Sequence, residues 1–67
     1  MTSLMSRDTA LICGQVIQAA LPDTSFYLDE EEAGGTILWV HLPEDEKYPP
    51  LLSFLEAGRF IRERLTL

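Results

Sequence analysis

The chain has few of the groups on which small folds and active sites usually depend. It is 67 residues long and has a single cysteine, Cys13, so an intramolecular disulfide is excluded. It has one histidine, His41, and no Cys/His cluster with the spacing of a zinc site. A domain of this size buries only about 60% of the surface that its unfolded chain exposes. We therefore expect reinforcement from a second copy of the chain or from a larger protein.

Long apolar runs and a basic leader are also missing. No stretch approaches the roughly 20 apolar residues that a membrane-spanning helix needs. Residues 1–6 lack the basic segment and the apolar core of a signal peptide. Together with the lone cysteine, these features lead us to expect a cytoplasmic protein with a reduced thiol.

Catalytic and cofactor-binding patterns are scarce. Cys13 lies on an apolar helical stripe and His41 at the end of a strand, and nothing in the pattern brings the two together. The acidic run at residues 29–32 lacks the alternating oxygen ligands of a calcium loop. The pair Gly34-Gly35 follows that run, and its negative charge is the wrong sign for binding phosphate. We expect no enzymatic activity, no cofactor and no metal site.

Basic side chains are few, and the charge is unevenly distributed. The net charge is −6, from 11 acidic and 5 basic residues. Between positions 23 and 46 there is no Lys or Arg, and the acidic residues there are Asp23, Asp29, Glu30, Glu31, Glu32, Glu44, Asp45 and Glu46. Such a surface repels phosphate backbones and attracts basic protein surfaces, including those that hold nucleic acids. The alternative is that the acidic residues only keep a small protein soluble.

Periodicity predicts a helix at each end of the chain. The first covers about residues 7–21, with Ser6 as N-cap. Its apolar stripe contains Thr9, Ile12, Cys13, Val16, Ile17, Ala20 and Leu21. The second covers about residues 51–65, with Pro50 near its first turn. Its main stripe contains Leu51, Phe54, Leu55, Gly58, Ile61 and Leu65, and Phe60 widens it.

A β-hairpin is predicted between the helices. Its strands cover about residues 24–28 and 36–42, and Gly34-Gly35 in the connecting loop can adopt positive φ angles. The chain is thus expected to be one α+β domain, a helix–β-hairpin–helix with two helices packed on a small antiparallel sheet. Gly14 and Gly58 lie inside the helices, where each costs about 1 kcal/mol relative to alanine. Close approach of the two helices, or of a helix and a strand, would explain why glycine is present at these two positions.

The second strand is apolar on both of its faces. Leu38, Val40 and Leu42 point one way, and Ile37, Trp39 and His41 point the other. A strand with one face in water should alternate apolar and polar residues. If both helices cover the Leu38 face, then Ile37 and Trp39, extended by Tyr27 on the first strand, form an exposed interaction surface. The alternative is that one helix covers each face.

A short run near the end of the chain resembles a known family. The segment Ala-Gly-Arg-Phe-Ile-Arg at residues 57–62, in the order helix, strand, strand, helix, resembles ribosome-binding factor A. The resemblance implies a KH-like fold and contact with RNA. The resemblance covers about a dozen residues, and the chain departs from that family in its acidic balance and in lacking the final strand. A small ribosome-associated factor is kept as an alternative.

These patterns favour a non-enzymatic module that binds a protein with a basic surface, as inhibitor or adaptor. Phage inhibitors of host defence that imitate nucleic-acid charge are of similar size and acidity. The candidate partner-binding residues are Tyr27, Ile37, Trp39 and His41 with Asp29, Glu30, Glu31, Glu32, Glu44, Asp45 and Glu46. The competing hypothesis is a homodimer or larger homo-oligomeric assembly subunit, with Trp39 buried against its symmetry mate.

Overall fold

The fold follows the predicted order of elements. A computed structural model describes residues 4–43 and 48–65. Helix α1 covers Arg7–Ala20, strand β1 Ser25–Glu30, strand β2 Thr36–His41, and helix α2 Phe54–Leu65. Strands β1 and β2 form an antiparallel hairpin between the two helices. The predicted α+β architecture is therefore confirmed. Neither helix in these ranges is long and apolar enough to cross a membrane.

Local hydrogen bonds fix the two ends of α1. The Ser6 side chain accepts a hydrogen bond from the Thr9 N–H at 3.2 Å, which satisfies one of the free donors of the first turn. At the other end the Leu21 N–H donates to the Ile17 carbonyl at 2.8 Å. A tight turn follows at Pro22, in which the Thr24 N–H donates to the Leu21 carbonyl at 2.9 Å. This turn leads the chain directly into β1.

The hairpin loop depends on its two glycines. The Gly34 N–H donates to the Glu31 carbonyl at 2.9 Å, and the Glu31 N–H donates to the Gly35 carbonyl at 3.0 Å. Gly34 and Gly35 have φ angles of +101° and +92°, a region that L side chains rarely adopt. The expectation that these glycines supply positive φ is confirmed.

Strand β2 lies in the middle of the sheet because short segments close its second edge. Met5 forms an isolated antiparallel bridge with Thr36, whose N–H donates to the Met5 carbonyl at 2.8 Å. Leu51 forms another with Leu38, through N–H···O contacts of 3.1 and 2.8 Å. Both bridges lie on the edge opposite β1. Among the described residues, β1 is thus the outer strand with an unpaired edge.

The second helix begins later than residue 51. Its first residue is Phe54, and the Ser53 side chain accepts a hydrogen bond from the Glu56 N–H at 3.2 Å. The Ser53 hydroxyl also contacts the Glu56 carboxylate at 3.4 Å, so the pair forms a Ser-x-x-Glu cap. The expected start was wrong because Leu51 bonds to the sheet and Pro50 precedes that bridge. The Ser-x-x-Glu pattern of this cap is visible in the sequence, and it predicts the start of α2 more accurately than the apolar stripe does.

The core lies between the helices and one face of the sheet, here called the inner sheet face. Its buried apolar residues are Met5, Ala10, Cys13, Ile17, Leu38, Val40, Leu42, Leu51, Ala57 and Phe60. Residues of both helices share this core with Leu38 and Val40. The alternative in which one helix covers each sheet face is therefore wrong.

The predicted core stripe of α2 is wrong for most of its members, although Leu51 is buried and Ile61 packs against the core. The helix buries Ala57 and Phe60, while Phe54, Leu55 and Leu65 are exposed. The buried side is displaced by about one residue, or about 100° of helix rotation, from the expected stripe. The Tyr48 ring packs edge-on against Phe60 with centroids 4.7 Å apart, which selects this side for burial. On α1 the predicted stripe is likewise too wide, since two of its members, Ile12 and Val16, are exposed.

The two helical glycines have different surroundings. A Cβ atom on Gly14 would lie 2.4 Å from two carbons of the Phe26 ring, so α1 approaches β1 more closely than any side chain permits. Gly58 is exposed, and nothing lies within 4 Å of the Cβ it lacks. A crossing of the helices at these two glycines is excluded. The close approach that requires glycine is therefore between α1 and β1, at Gly14.

Candidate protein-binding surface

The side of the sheet away from the helices is here called the outer sheet face. Side chains alternate along a strand, so residues opposite to the buried Leu38 and Val40 share this face. The outer sheet face consists of Ser25, Tyr27 and Asp29 of β1 and Ile37, Trp39 and His41 of β2. The antiparallel register sets Tyr27 directly opposite Trp39 and Asp29 opposite Ile37.

An aromatic pair forms the centre of this face. The rings of Tyr27 and Trp39 stack with centroids 6.1 Å apart and an interplanar angle of 12°. Tyr27 is 60% exposed, whereas Trp39 and Ile37 are half-buried. The structure therefore brings together the three apolar residues predicted for the site. Stacked aromatics offer a large and rigid contact area, which is typical of the anchor positions of interfaces.

Two apolar residues, Pro50 and Leu52, flank the bridge that Leu51 forms with β2. Leu51 is buried beside Leu38, and strand alternation continued through this bridge would direct Pro50 and Leu52 to the outer sheet face. Both are half-buried. Continuation of the antiparallel register of this single bridge would set Pro50 beside Trp39 and Leu52 beside Ile37. In the sequence, three consecutive apolar residues precede Ser53, and the helix predicted from residue 51 overlaps this segment.

The predicted acidic residues do not all belong to this surface. Asp29 lies on the outer sheet face, and the exposed Glu31 and Glu32 lie in the hairpin loop at its end. Glu30 points to the other side, where its carboxylate lies 3.6 Å from the Arg7 guanidinium. Both side chains of this pair are well exposed, so the contact adds little stability. The predicted cluster at residues 44–46 lies outside the described residues.

His41 is the last residue of β2 and lies at the end of the strand away from the hairpin loop. It is exposed and pairs in register with Ser25. The outer sheet face therefore has an acidic end at Asp29 and a polar end at His41 and Ser25, with the aromatic pair between them. Because the two ends of the face differ, a bound partner would have one preferred orientation on it.

The candidate catalytic groups are separated. Cys13 is buried in the core, where its thiol contacts the Met5 sulfur at 3.9 Å. Burial raises the pKa of the Cys13 thiol, because desolvation disfavours the thiolate. His41 is exposed on the outer sheet face, on the opposite side of the sheet. A Cys–His pair is therefore not formed, and the thiol behaves as a small apolar side chain.

Tyr48 and Glu63 form a hydrogen-bonded pair beside the core, near α2. The Tyr48 hydroxyl donates to the Glu63 carboxylate at 3.3 Å, and the Arg64 guanidinium lies 5.8 Å from the Tyr48 ring centroid. Desolvation, and next the negative charge of Glu63, raise the pKa of Tyr48. These contacts connect the segment before α2 to the last turn of the helix. They have a packing role and lie away from the outer sheet face.

Two other kinds of site, a metal site and a ligand-binding cleft, have less support in the structure than the outer sheet face. In residues 4–43 and 48–65, no three His, Cys, Asp or Glu side chains come close enough to hold a metal ion. An open cleft of about 250 Å³ lies where α1 meets β1, lined by Leu21, Pro22, Asp23, Thr24, Leu42, Pro43 and Arg64. Its lining is mainly apolar. Compared with this cleft, the outer sheet face has the larger aromatic area and the clearer charge pattern.

Comparisons with known proteins identify no relative. No family model matches the chain, and no curated protein and no solved structure matches it. The resemblance of residues 57–62 to ribosome-binding factor A therefore gains no support from them. Any functional conclusion depends on the chemistry of the surface itself.

Proposed function

We propose that this chain is a non-enzymatic protein-binding module of the cytoplasm, which inhibits or adapts a protein with a basic surface. The observation that carries the proposal is the stacked Tyr27–Trp39 pair on a sheet face that ends in acidic residues, with Tyr27 exposed and Trp39 half-buried. A partner that normally holds nucleic acid has the matching positive charge. A phage inhibitor of a host defence protein, of the anti-CRISPR type, is one biological form of this function.

Aromatic area and charge have separate tasks in this proposal. Burial of the Tyr27 and Trp39 rings supplies affinity, since large aromatic side chains dominate the energetics of interfaces. The carboxylates of Asp29, Glu31 and Glu32 are exposed and therefore contribute mainly to the rate of encounter and to the choice of partner. The two contributions can be measured independently, because charge effects are screened by salt and apolar burial is not.

The salt dependence of binding tests this proposal. We expect affinity capture from the native host to return a protein with a basic surface. Its dissociation constant should rise by about tenfold or more between low and physiological salt, because the Debye length falls from about 30 Å to about 8 Å. The variant Asp29→Asn, Glu31→Gln, Glu32→Gln is the matched control, since it should bind more weakly at low salt and depend less on salt. A dissociation constant independent of salt would exclude the charge-driven mechanism.

A homo-oligomeric assembly subunit is the second candidate, and a specific observation favours it. Ile12 and Val16 of α1 and Phe54 and Leu65 of α2 are all at least half exposed. Small proteins rarely leave this much apolar helix surface in water without a use for it. In this alternative, helices of two copies pack together and the acidic residues only maintain solubility. The oligomeric state of the isolated chain separates the two candidates.

A further inference from the structure

The two edges of the sheet differ. On the β2 side, Met5 and Leu51 bond to the backbone of Thr36 and Leu38. On the β1 side, no strand or bridging residue is present within residues 4–43 and 48–65. A strand edge of this kind offers a row of N–H and C=O groups to another extended chain. We propose that the partner binds through an extended basic segment, which pairs with β1 as an additional strand.

The register identifies the backbone groups that face this edge. In an antiparallel strand, the N–H and C=O of one residue point to the same side, and successive residues alternate. Since Thr36 and Leu38 bond away from β1, their neighbours Ile37 and Trp39 bond toward it. The partners of those neighbours are Asp29 and Tyr27. The backbone groups of Phe26 and Leu28 therefore face the open edge.

The surroundings of this edge define the side chains of the added strand. Residues of that strand on the outer sheet face would lie beside Tyr27 and Asp29, and alternate residues would lie beside Phe26 and Leu28 on the inner side. A lysine or arginine on the outer side can cover the Tyr27 ring and place its charge near Asp29. An apolar residue fits the inner side. The favoured segment alternates basic and apolar residues.

A second copy of the chain fits this edge less well. Each copy carries a net charge of −6, so two copies brought together at this edge repel each other. Arg7 lies beside the end of β1 but pairs with Glu30, and positions 23–43 contain no Lys or Arg to offset this repulsion. A basic segment has the complementary charge and avoids this repulsion.

Amide hydrogen exchange of the intact chain, followed by NMR, tests this mode of binding. The probe is a blocked peptide of about twelve residues that alternates lysine and valine. The matched control has the same charge, but prolines replace alternate valines and remove its strand-forming N–H groups. In the free protein, we expect the amides of Phe26 and Leu28 to exchange faster than that of Tyr27. At saturating lysine–valine peptide, their exchange should slow by about tenfold or more, and the proline peptide should have no such effect.

The inference depends on the proposed function, but the two can fail separately. Strand addition is overturned if Phe26 and Leu28 are already protected in the free protein, or if the lysine–valine peptide leaves their exchange unchanged. Equal protection by the proline peptide also overturns it. A natural partner that binds with strong salt dependence and perturbs only the Tyr27 and Trp39 side chains would preserve the proposed function and exclude strand addition. A natural partner without salt dependence would instead contradict the proposed function.

Discussion

Replacing Gly14 with alanine is expected to destabilise the protein by about 1–2 kcal/mol, whereas Gly58→Ala should stabilise it by up to about 1 kcal/mol. The same substitution gains helix propensity at both sites. At Gly14, however, the new methyl group would lie 2.4 Å from the Phe26 ring, and at Gly58 it meets no atom within 4 Å. For a domain of this size each 1 kcal/mol shifts the melting temperature by roughly 4–8 °C. Thermal unfolding followed by circular dichroism measures both effects.

A double-mutant cycle provides the control for the Gly14 prediction. In a Phe26→Leu background the flat ring is absent, so Gly14→Ala should lose most of its cost. If Gly14→Ala were as stabilising as Gly58→Ala, the close approach of α1 to β1 would be contradicted. An equal cost of Gly14→Ala in both backgrounds would contradict Phe26 as the cause.

Truncation of the aromatic pair is expected to weaken binding to the natural partner. We expect Trp39→Ala to raise the dissociation constant by about thirtyfold, or about 2 kcal/mol, and Tyr27→Ala by about tenfold. The two rings stack on each other at the centre of the outer sheet face, so each loss also leaves the other ring less well fixed. Isothermal titration calorimetry at constant salt measures both dissociation constants. Circular dichroism should verify that each variant remains folded.

The matched control for the aromatic pair is an exposed apolar residue on the helical side. Leu55 is 80% exposed on α2, and Leu55→Ala should leave partner binding unchanged. Near wild-type binding by Trp39→Ala would remove the outer sheet face from the interface. A loss of binding in Leu55→Ala equal to that in Trp39→Ala would place the partner on the helices.

The faces of the central strand could be predicted from the sequence. Strand geometry fixes a period of two, so the side-chain order of residues 36–42 alone separates Leu38 and Val40 from Ile37 and Trp39. The positive φ angles of Gly34 and Gly35 were also predictable, because glycine is the residue that adopts them without strain. Local backbone rules are sufficient in both cases.

The rotation of α2 and the closure of the sheet edge could not be predicted in this way. Both sides of α2 are apolar enough to be buried, and contact of Phe60 with the distant Tyr48 decides between them. Met5 and Leu51 bond to the sheet as single bridges, which leave no periodic pattern in the sequence. Long-range packing determines both features. The aromatic surface could be predicted from the sequence because it follows from the alternation of side chains along a strand. The open edge of β1 could not, because it depends on which distant segments pair with the sheet.

The accessibility of Trp39 is the most direct measure of whether the outer sheet face is uncovered in the isolated chain. Trp39 is the single tryptophan, so acrylamide quenching of fluorescence reports on this face alone. At concentrations where sedimentation shows a monomer, we expect quenching well above that of a buried indole, falling several-fold once the partner is bound. Quenching as low as that of a buried indole in a monomer, unchanged by the partner, would contradict the account.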